Sequence, residues 1–407
     1  MDKRAMLSTT CAAVFWAVVM VIGATGVLLY PLLLCAALLT NLCCWASGAP
    51  LMQHKLTVAQ MRSLETGIAV DVCAVPVQHV ELDMQLSLLG NEYEIKAHAL
   101  RVRRGQRPTL VLVHGTGGTS LSAVAVLERL SAVFDVWAID LPGFGRTCTS
   151  ASPPPGEALD FHVAFLHAFL QQNGLHSSLV VGHSYGGFVA IHFASRFPTH
   201  VSHLLLLNPV GIFPMLGRWG AYWGFVFKYS LPQVGRHFGS LTDWALLTVA
   251  HAQGASFQYW YSVLGHPQQW GSQGLAALVD LTWTTCSWRL PALATLSRLS
   301  MPVATVYGEH DTIIPSTQGT ILEQICGIPT DTLPDSGHSP YTAQNAENLT
   351  AAACKLLSQP NAARPQRNAA CAQICAADWP SSFSATGTEA QIRAFYSALL
   401  EQKNQFY

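Results

Sequence analysis

Charge is scarce in this chain: only 11% of its 407 residues are Asp, Glu, Lys or Arg, against roughly a quarter in a typical soluble domain. A protein this poor in charge keeps part of itself out of water. The 22 basic and 23 acidic residues leave a net charge of −1, so the electrostatic footprint of a nucleic-acid binder is missing and that partner class is excluded. Eleven cysteines, an odd number with no C-x-x-C pair among them, define neither a disulfide framework nor a zinc site.

The deficit of charge is concentrated at one end. Between Arg4 and Lys55 there is no charged side chain, and Cys11 to Leu39 is almost continuously apolar. As a helix that run would measure roughly 43 Å, against a hydrocarbon core of about 30 Å. It would cross a bilayer once, with tilt or a kink at Pro31, and is too short to cross twice. A cleaved signal peptide needs an apolar core of only about 7–15 residues, which this run far exceeds, although Ala46-Ser47-Gly48 would serve as a cleavage site. Residues 1–48 are therefore expected to be a retained membrane anchor, with a linker over 49–76. Lys3 and Arg4 before the run and Lys55 and Arg62 after it are nearly balanced, so the positive-inside rule leaves the side of the membrane open.

From Val77 onward the pattern changes to β-rich runs alternating with helical stretches. Val77 to Leu89 and Tyr93 to Val102 alternate like a half-exposed hairpin, split by Gly90-Asn91. Continuous apolar runs follow at Thr109 to Val113, Val136 to Ile139, Leu179 to Val181, Leu204 to Leu207 and Val303 to Val306, as expected of strands covered on both faces. Helices are expected at about 120–132, 157–172, 186–196 and 342–357. The result is a doubly wound, mostly parallel α/β sheet, its core formed by 77–209 and 301–358. Between Val210 and Ser300 no strand pattern occurs; that interval holds seven charged residues and sixteen of Phe, Trp and Tyr, and reads as a helical cap over 210–300. Residues 359–407 form a C-terminal extension with no functional signal.

A strand followed by Gly182-His183-Ser184-Tyr185-Gly186-Gly187 and then a helix is a nucleophile elbow in its confirming context. The two flanking glycines leave room for a sharp turn that projects the serine hydroxyl clear of the backbone. Serine is a poor nucleophile unless a base lies within hydrogen-bond reach and a third group orients that base. The expected chain order is Ser, acid, His. Asp311, directly after the strand Val303 to Val306, is the expected acid, with Glu309 and Asp335 as competitors. His338, in Asp335-Ser336-Gly337-His338-Ser339-Pro340, is the expected base. His183 is expected to be a strand-end packing residue. Backbone donors for a developing oxyanion should come from Tyr185 and from the loop His114-Gly115-Thr116-Gly117-Gly118, with Thr116 as its donor.

These motifs resemble the α/β-hydrolase superfamily from about Val77 to Leu357, and so does Ala138-Ile139-Asp140-Leu141-Pro142-Gly143-Phe144-Gly145, which resembles that family's loop after the fourth strand. The resemblance implies a structural role for Asp140. Haloalkane dehalogenases and soluble epoxide hydrolases of this fold use an aspartate nucleophile, so Ser184 disfavours them. The hydrolases that cleave carbon–carbon bonds in ring-fission products share the elbow and the cap, and that alternative stays open, as does acyl transfer to an acceptor other than water. A non-catalytic binding or scaffold protein is disfavoured by the presence of all three catalytic residue types. The leading expectation is a membrane-located serine esterase or lipase acting on a small hydrophobic ester or lipid, since an aromatic cap and an apolar anchor both favour a greasy ligand. No metal or organic cofactor is implied, because such a triad generates its own nucleophile.

Overall fold

The computed structural model describes residues 73–212 and 292–360, apart from 117, 152, 154–156 and 312. The expected anchor, most of the linker, residues 213–291 of the expected cap and the C-terminal extension beyond residue 360 lie outside the described residues. Among the described residues, no helix is long and apolar enough to cross a membrane.

A nine-stranded sheet organises the described chain. Strands β1 (Gln78–Leu88) and β2 (Asn91–Val102) form an antiparallel hairpin through Leu89 and Gly90, both with positive φ. Beyond the hairpin come β3 (Thr109–Val113), β4 (Asp135–Ile139), the two-residue β5 (Cys148–Thr149), β6 (Ser178–His183), β7 (Val201–Leu207), β8 (Val303–Gly308) and β9 (Thr330–Leu333). The spatial order is β1-β2-β4-β3-β6-β7-β8-β9, with β5 on β2 and every pairing from β4 to β9 parallel. After β4 the chain returns past β3 to build the other half, so the order switches between β3 and β6. Ligands of open α/β sheets bind outside the carboxyl ends of the strands at such a point.

The central strands are buried on both faces, which is why they read as unbroken apolar runs. Leu110 and Leu112 of β3 belong to one core cluster and Val111 and Val113 to the other. On the first face lie α1 (Val124–Ser131) and α6 (Ala346–Leu357), contributing Leu127, Leu130, Leu349 and Leu356. On the second lie α2 (Ala158–Gln172) and α3 (Tyr185–Arg196), contributing Phe161, Phe165, Phe169, Phe188 and Phe193. The short α4 (Ala292–Leu296) joins that second cluster through Ala292, Leu293 and Leu296.

Two helices differ from their expected bounds by more than one residue. The stretch 120–132 is a 3-10 turn at Ser120–Ala123 followed by α1, because Thr119 and Ser122 cap each other's backbone N–H groups. The last helix begins at Ala346 rather than Thr342, since the Asn345 side chain is engaged with Ser336 and Pro340. A further helix, α5 (Thr317–Cys326), stops at Gly327 in the left-handed region, φ +65°.

Candidate active site

Four strand ends converge where the sheet order switches. After β6, Ser184 sits at φ 51°, ψ −116°, a strained position for a residue with a side chain. Its neighbours hold it there: Ser184 N–H donates to Leu207 O at 2.9 Å, and its own carbonyl accepts from Gly187 N–H at 3.0 Å and Val210 N–H at 3.2 Å. Such a turn leaves no room for side chains beside it. A Cβ on Gly182 would lie 2.5 Å from Gly186 O, and one on Gly186 would lie 2.5 Å from His114 O.

His338 follows β9, in a loop whose placement is braced from several sides. Asn345 Nδ2 donates to Ser336 Oγ at 3.0 Å and to Pro340 O at 3.2 Å, and His310 N–H donates to Ser336 O at 2.8 Å. Asp311 follows β8 and is 6% exposed. The three side chains meet: Ser184 Oγ lies 3.0 Å from His338 Nε2, and His338 Nδ1 lies 2.7 Å from Asp311 Oδ2. Ser184 is 7% exposed and the His338 side chain 22%, so the base is the most accessible member. Glu309 and Asp335, the competing acids, are both exposed and face elsewhere. Glu309 accepts from Asp335 N–H at 3.4 Å, and Asp335 lies 3.8 Å from His310 Nε2.

The Asp311 carboxylate is thoroughly bonded. Oδ1 accepts from Ile313 N–H at 2.7 Å and Ile314 N–H at 2.8 Å, while Oδ2 also accepts from Asn208 Nδ2 at 2.5 Å. Burial alone would push this carboxyl up, but the hydrogen bond and charge of His338 together with the two backbone donors outweigh it and hold the group below its ordinary value. Asn208 carries no sequence signal for this role. Neither does the bond of His183, whose Nε2–H donates to His338 O at 2.8 Å and fixes the loop of the base from behind. Burial holds His183 down at about 3, so it is neutral and keeps the proton that bond requires.

The glycine-rich loop after β3 passes directly over the elbow. A Cβ on Gly115 would sit 2.9 Å from Ser184 Cβ, so only glycine permits that approach. Thr116 is next in this loop, and its Oγ is buried with no partner among the described residues. Tyr185, the first residue of α3, is 2% exposed. Asp140 stands apart from the triad: it bonds His98 Nδ1 at 2.6 Å, Ser120 N–H at 2.5 Å and Arg146 N–H at 2.9 Å, which is structural work.

Comparison with known proteins agrees with this architecture. The family model of the alpha/beta hydrolase fold matches residues 108–342, more than half of the chain, and the chain belongs to that family. It is 34% identical over 172 residues to the human (lyso)-N-acylphosphatidylethanolamine lipase, covering 42% of this chain and 48% of that protein. It is 26% identical over 249 residues to the pimeloyl-acyl-carrier-protein methyl ester esterase of Vibrio vulnificus, covering 59% and 91%. The chain thus spans about half the length of the curated lipases it matches. Among solved structures, a membrane phospholipase A described as a bacterial virulence factor superposes with a TM-score of 0.53 at 20% identity, over 86% of this chain and 100% of that one. A thermophilic esterase from Thermogutta terrifontis gives 0.53 at 20%, over 68% and 98%. At such identities the structural likeness speaks to the fold alone.

Proposed function

We propose that this chain is a membrane-anchored serine hydrolase that cleaves an ester of a hydrophobic, lipid-like acyl substrate through Ser184, His338 and Asp311. One observation carries the reading: a serine on a strained strand-to-helix turn lies 3.0 Å from an imidazole nitrogen whose other nitrogen lies 2.7 Å from a buried carboxylate. His338 Nε2 takes the Ser184 proton as Oγ bonds to the acyl carbon. The carbonyl oxygen gathers negative charge opposite the backbone N–H groups of Thr116 and Tyr185. As the ester C–O bond breaks, His338 gives its proton to the leaving alcohol oxygen. Water then repeats the sequence on the acyl-enzyme, releasing the acid and restoring the serine. Asp311 holds the Nδ1–H tautomer and stabilises the imidazolium throughout.

The lipid character of the substrate is supported by the lipase and esterase names of the relatives and by the aromatic, charge-poor interval 210–300, which we assign to a helical cap between the core segments 77–209 and 301–358. Residues 1–48 supply the membrane anchor in this reading. The test is a fluorophosphonate probe combined with an ester series. Wild type should be labelled at Ser184 and turn over p-nitrophenyl esters, and Ser184→Ala should lose both. From acetate to hexanoate, four added methylenes at about 0.8 kcal/mol each should raise kcat/KM by roughly two orders of magnitude. An unlabelled wild type would sink the nucleophile assignment, and a flat series the lipid-like substrate.

A further inference from the structure

Two buried histidines take no part in the proton transfers of that reading, yet all four of their ring nitrogens are engaged. Leu141 N–H donates to His114 Nε2 at 3.0 Å. The His114 proton therefore sits on Nδ1, which donates to Gly115 O at 2.7 Å. At the second ring, Pro142 O is an acceptor only, so His162 Nε2 carries the proton donated to it at 3.0 Å. His162 Nδ1 is left to accept from Tyr185 Oη–H at 2.7 Å. Each ring has one donor and one acceptor nitrogen, which requires both to be neutral. Burial enforces this, lowering His162 to about 4 and moving His114 in the same direction.

The two ends of this chain of bonds are the two proposed oxyanion donors. Gly115 C=O and Thr116 N–H belong to one rigid peptide plane, so fixing the carbonyl fixes the direction of the N–H. His114 does that directly, with Gly118 N–H as a second donor to the same oxygen at 3.0 Å. Tyr185 carries the other N–H and is tied through its hydroxyl to His162. Between them lies the turn Leu141–Phe144, closed by Phe144 N–H to Leu141 O at 2.9 Å. The Phe144 ring packs 5.4 Å from His114 and 6.2 Å from His162, centroid to centroid. Nothing local in the sequence marks His162, which sits in the buried face of α2.

We infer that His162 is a positioning residue for the oxyanion site, holding the Tyr185 donor against the Thr116 donor through the Leu141–Phe144 turn and His114. The inference rests on the serine-hydrolase reading. It is tested in the full chain with His162→Leu, His162→Gln and Tyr185→Phe, after saturation labelling by the fluorophosphonate to count competent sites. For His162→Leu, kcat per labelled site should fall by about tenfold or more, with KM little changed. Affinity for a trifluoromethyl ketone, whose serine adduct carries an oxyanion, should weaken by the same factor. Glutamine has both a donor and an acceptor and should fall between leucine and wild type. Tyr185→Phe should reproduce the leucine variant, and the double variant should be no worse than either. Wild-type turnover per labelled site in His162→Leu, or lowered turnover with unchanged ketone affinity, overturns the inference. Should that variant not fold, unchanged ketone affinity in Tyr185→Phe does so alone. An unlabelled wild type overturns the hydrolase reading itself, and this inference with it.

Discussion

Among the described residues, two buried aspartates stand behind histidines in pairs built almost alike, at the ends of β4 and β8. Asp140 bonds His98 Nδ1 at 2.6 Å and Asp311 bonds His338 Nδ1 at 2.7 Å. In both carboxyls burial pushes the pKa up, and the charge and hydrogen bond of the histidine help bring it below the ordinary value. The difference lies at the far ring nitrogen. His98 Nε2 is 3.0 Å from His79 Nδ1, which also accepts from Arg146 at 2.9 Å. Both ring nitrogens of His98 are thus taken up by Asp140 and His79, and neither faces a hydroxyl. His338 Nε2 instead faces a serine hydroxyl, and its side chain is 22% exposed against 3% for His98. An aspartate behind a histidine therefore does not define a catalytic site. The third partner and the access of solvent set the proposed site apart.

The sharpest way to break this comparison is to change each carboxylate to its amide. Asp311→Asn should lower kcat per labelled serine by about four orders of magnitude, because a neutral amide neither holds the required tautomer nor stabilises imidazolium. Its unfolding midpoint in denaturant should fall less than that of the Asp140 variant, because the His338 side chain is 22% exposed against 3% for His98. Asp140→Asn should do the reverse. Breaking a buried pair costs about 3–5 kcal/mol, while kcat per labelled serine should fall by about tenfold at most. If Asp140→Asn proved the more damaging to turnover, the division into one structural and one chemical pair would be wrong.

The elements of both pairs were unequally legible in the sequence. Ser184 announced itself because the elbow needs its glycines at fixed offsets. Asp311 and His338 follow from chain order and from strands that read as apolar runs. Asp311 was preferred for its place after the strand, with Glu309 and Asp335 still in competition. What separates them is the turn after β8, where Asp311 N–H donates to Gly308 O at 3.3 Å and the side chain enters the core while Glu309 remains exposed. Asn208 and His162 were not legible at all, and of His183 only its packed place at a strand end was, not its bond to the loop of the base. Each acts on a partner remote in sequence, Asn208 on an aspartate 103 residues away, and one residue carries no trace of a contact that only the sheet order creates. The helix at 317–326 escaped notice because its turns are largely polar.

Acid separates the charged pairs from the buried neutral rings. His162 and His192 are held at about 4 and His183 at about 3, in each case chiefly by burial. A histidine whose folded value is depressed contributes its full stability above the unfolded value of 6.5. That contribution is lost as pH falls from 6.5 toward the folded value, because the unfolded chain gains the proton first. At pH 5 each ring should cost roughly 2 kcal/mol, and three together approach the net stability of an ordinary domain, about 5–15 kcal/mol. The carboxyls Asp140 and Asp311, also depressed, contribute above their unfolded 3.8 and lose it only below that. Denaturant midpoints should therefore fall steeply between pH 6.5 and 5, before either aspartate titrates. A flat profile over that interval would mean these rings are not buried and neutral.

The smallest expected effect tests how far the Asp311 pair can be tuned without being broken. Asp140 takes two of its donors from backbone, Ser120 and Arg146 N–H, which no substitution removes. Asp311 takes one from a side chain, Asn208 Nδ2 at 2.5 Å. A hydrogen bond to a charged group is worth about 1.5–3 kcal/mol, and His338, Ile313 and Ile314 remain after its loss. Removing the donor should free the carboxylate to tilt and lower kcat by roughly tenfold, since about 1.4 kcal/mol of barrier is a factor of ten. Asn208 also sits at φ 44°, a conformation asparagine accepts more readily than alanine and glycine most readily of all. Asn208→Ala therefore loses the bond and adds backbone strain, whereas Asn208→Gly loses the bond alone. The two variants should share the same drop in kcat per labelled serine, with alanine the less stable in denaturant. If kcat instead followed stability, with glycine near wild type, Asn208 would serve the turn after β7 and not the orientation of Asp311.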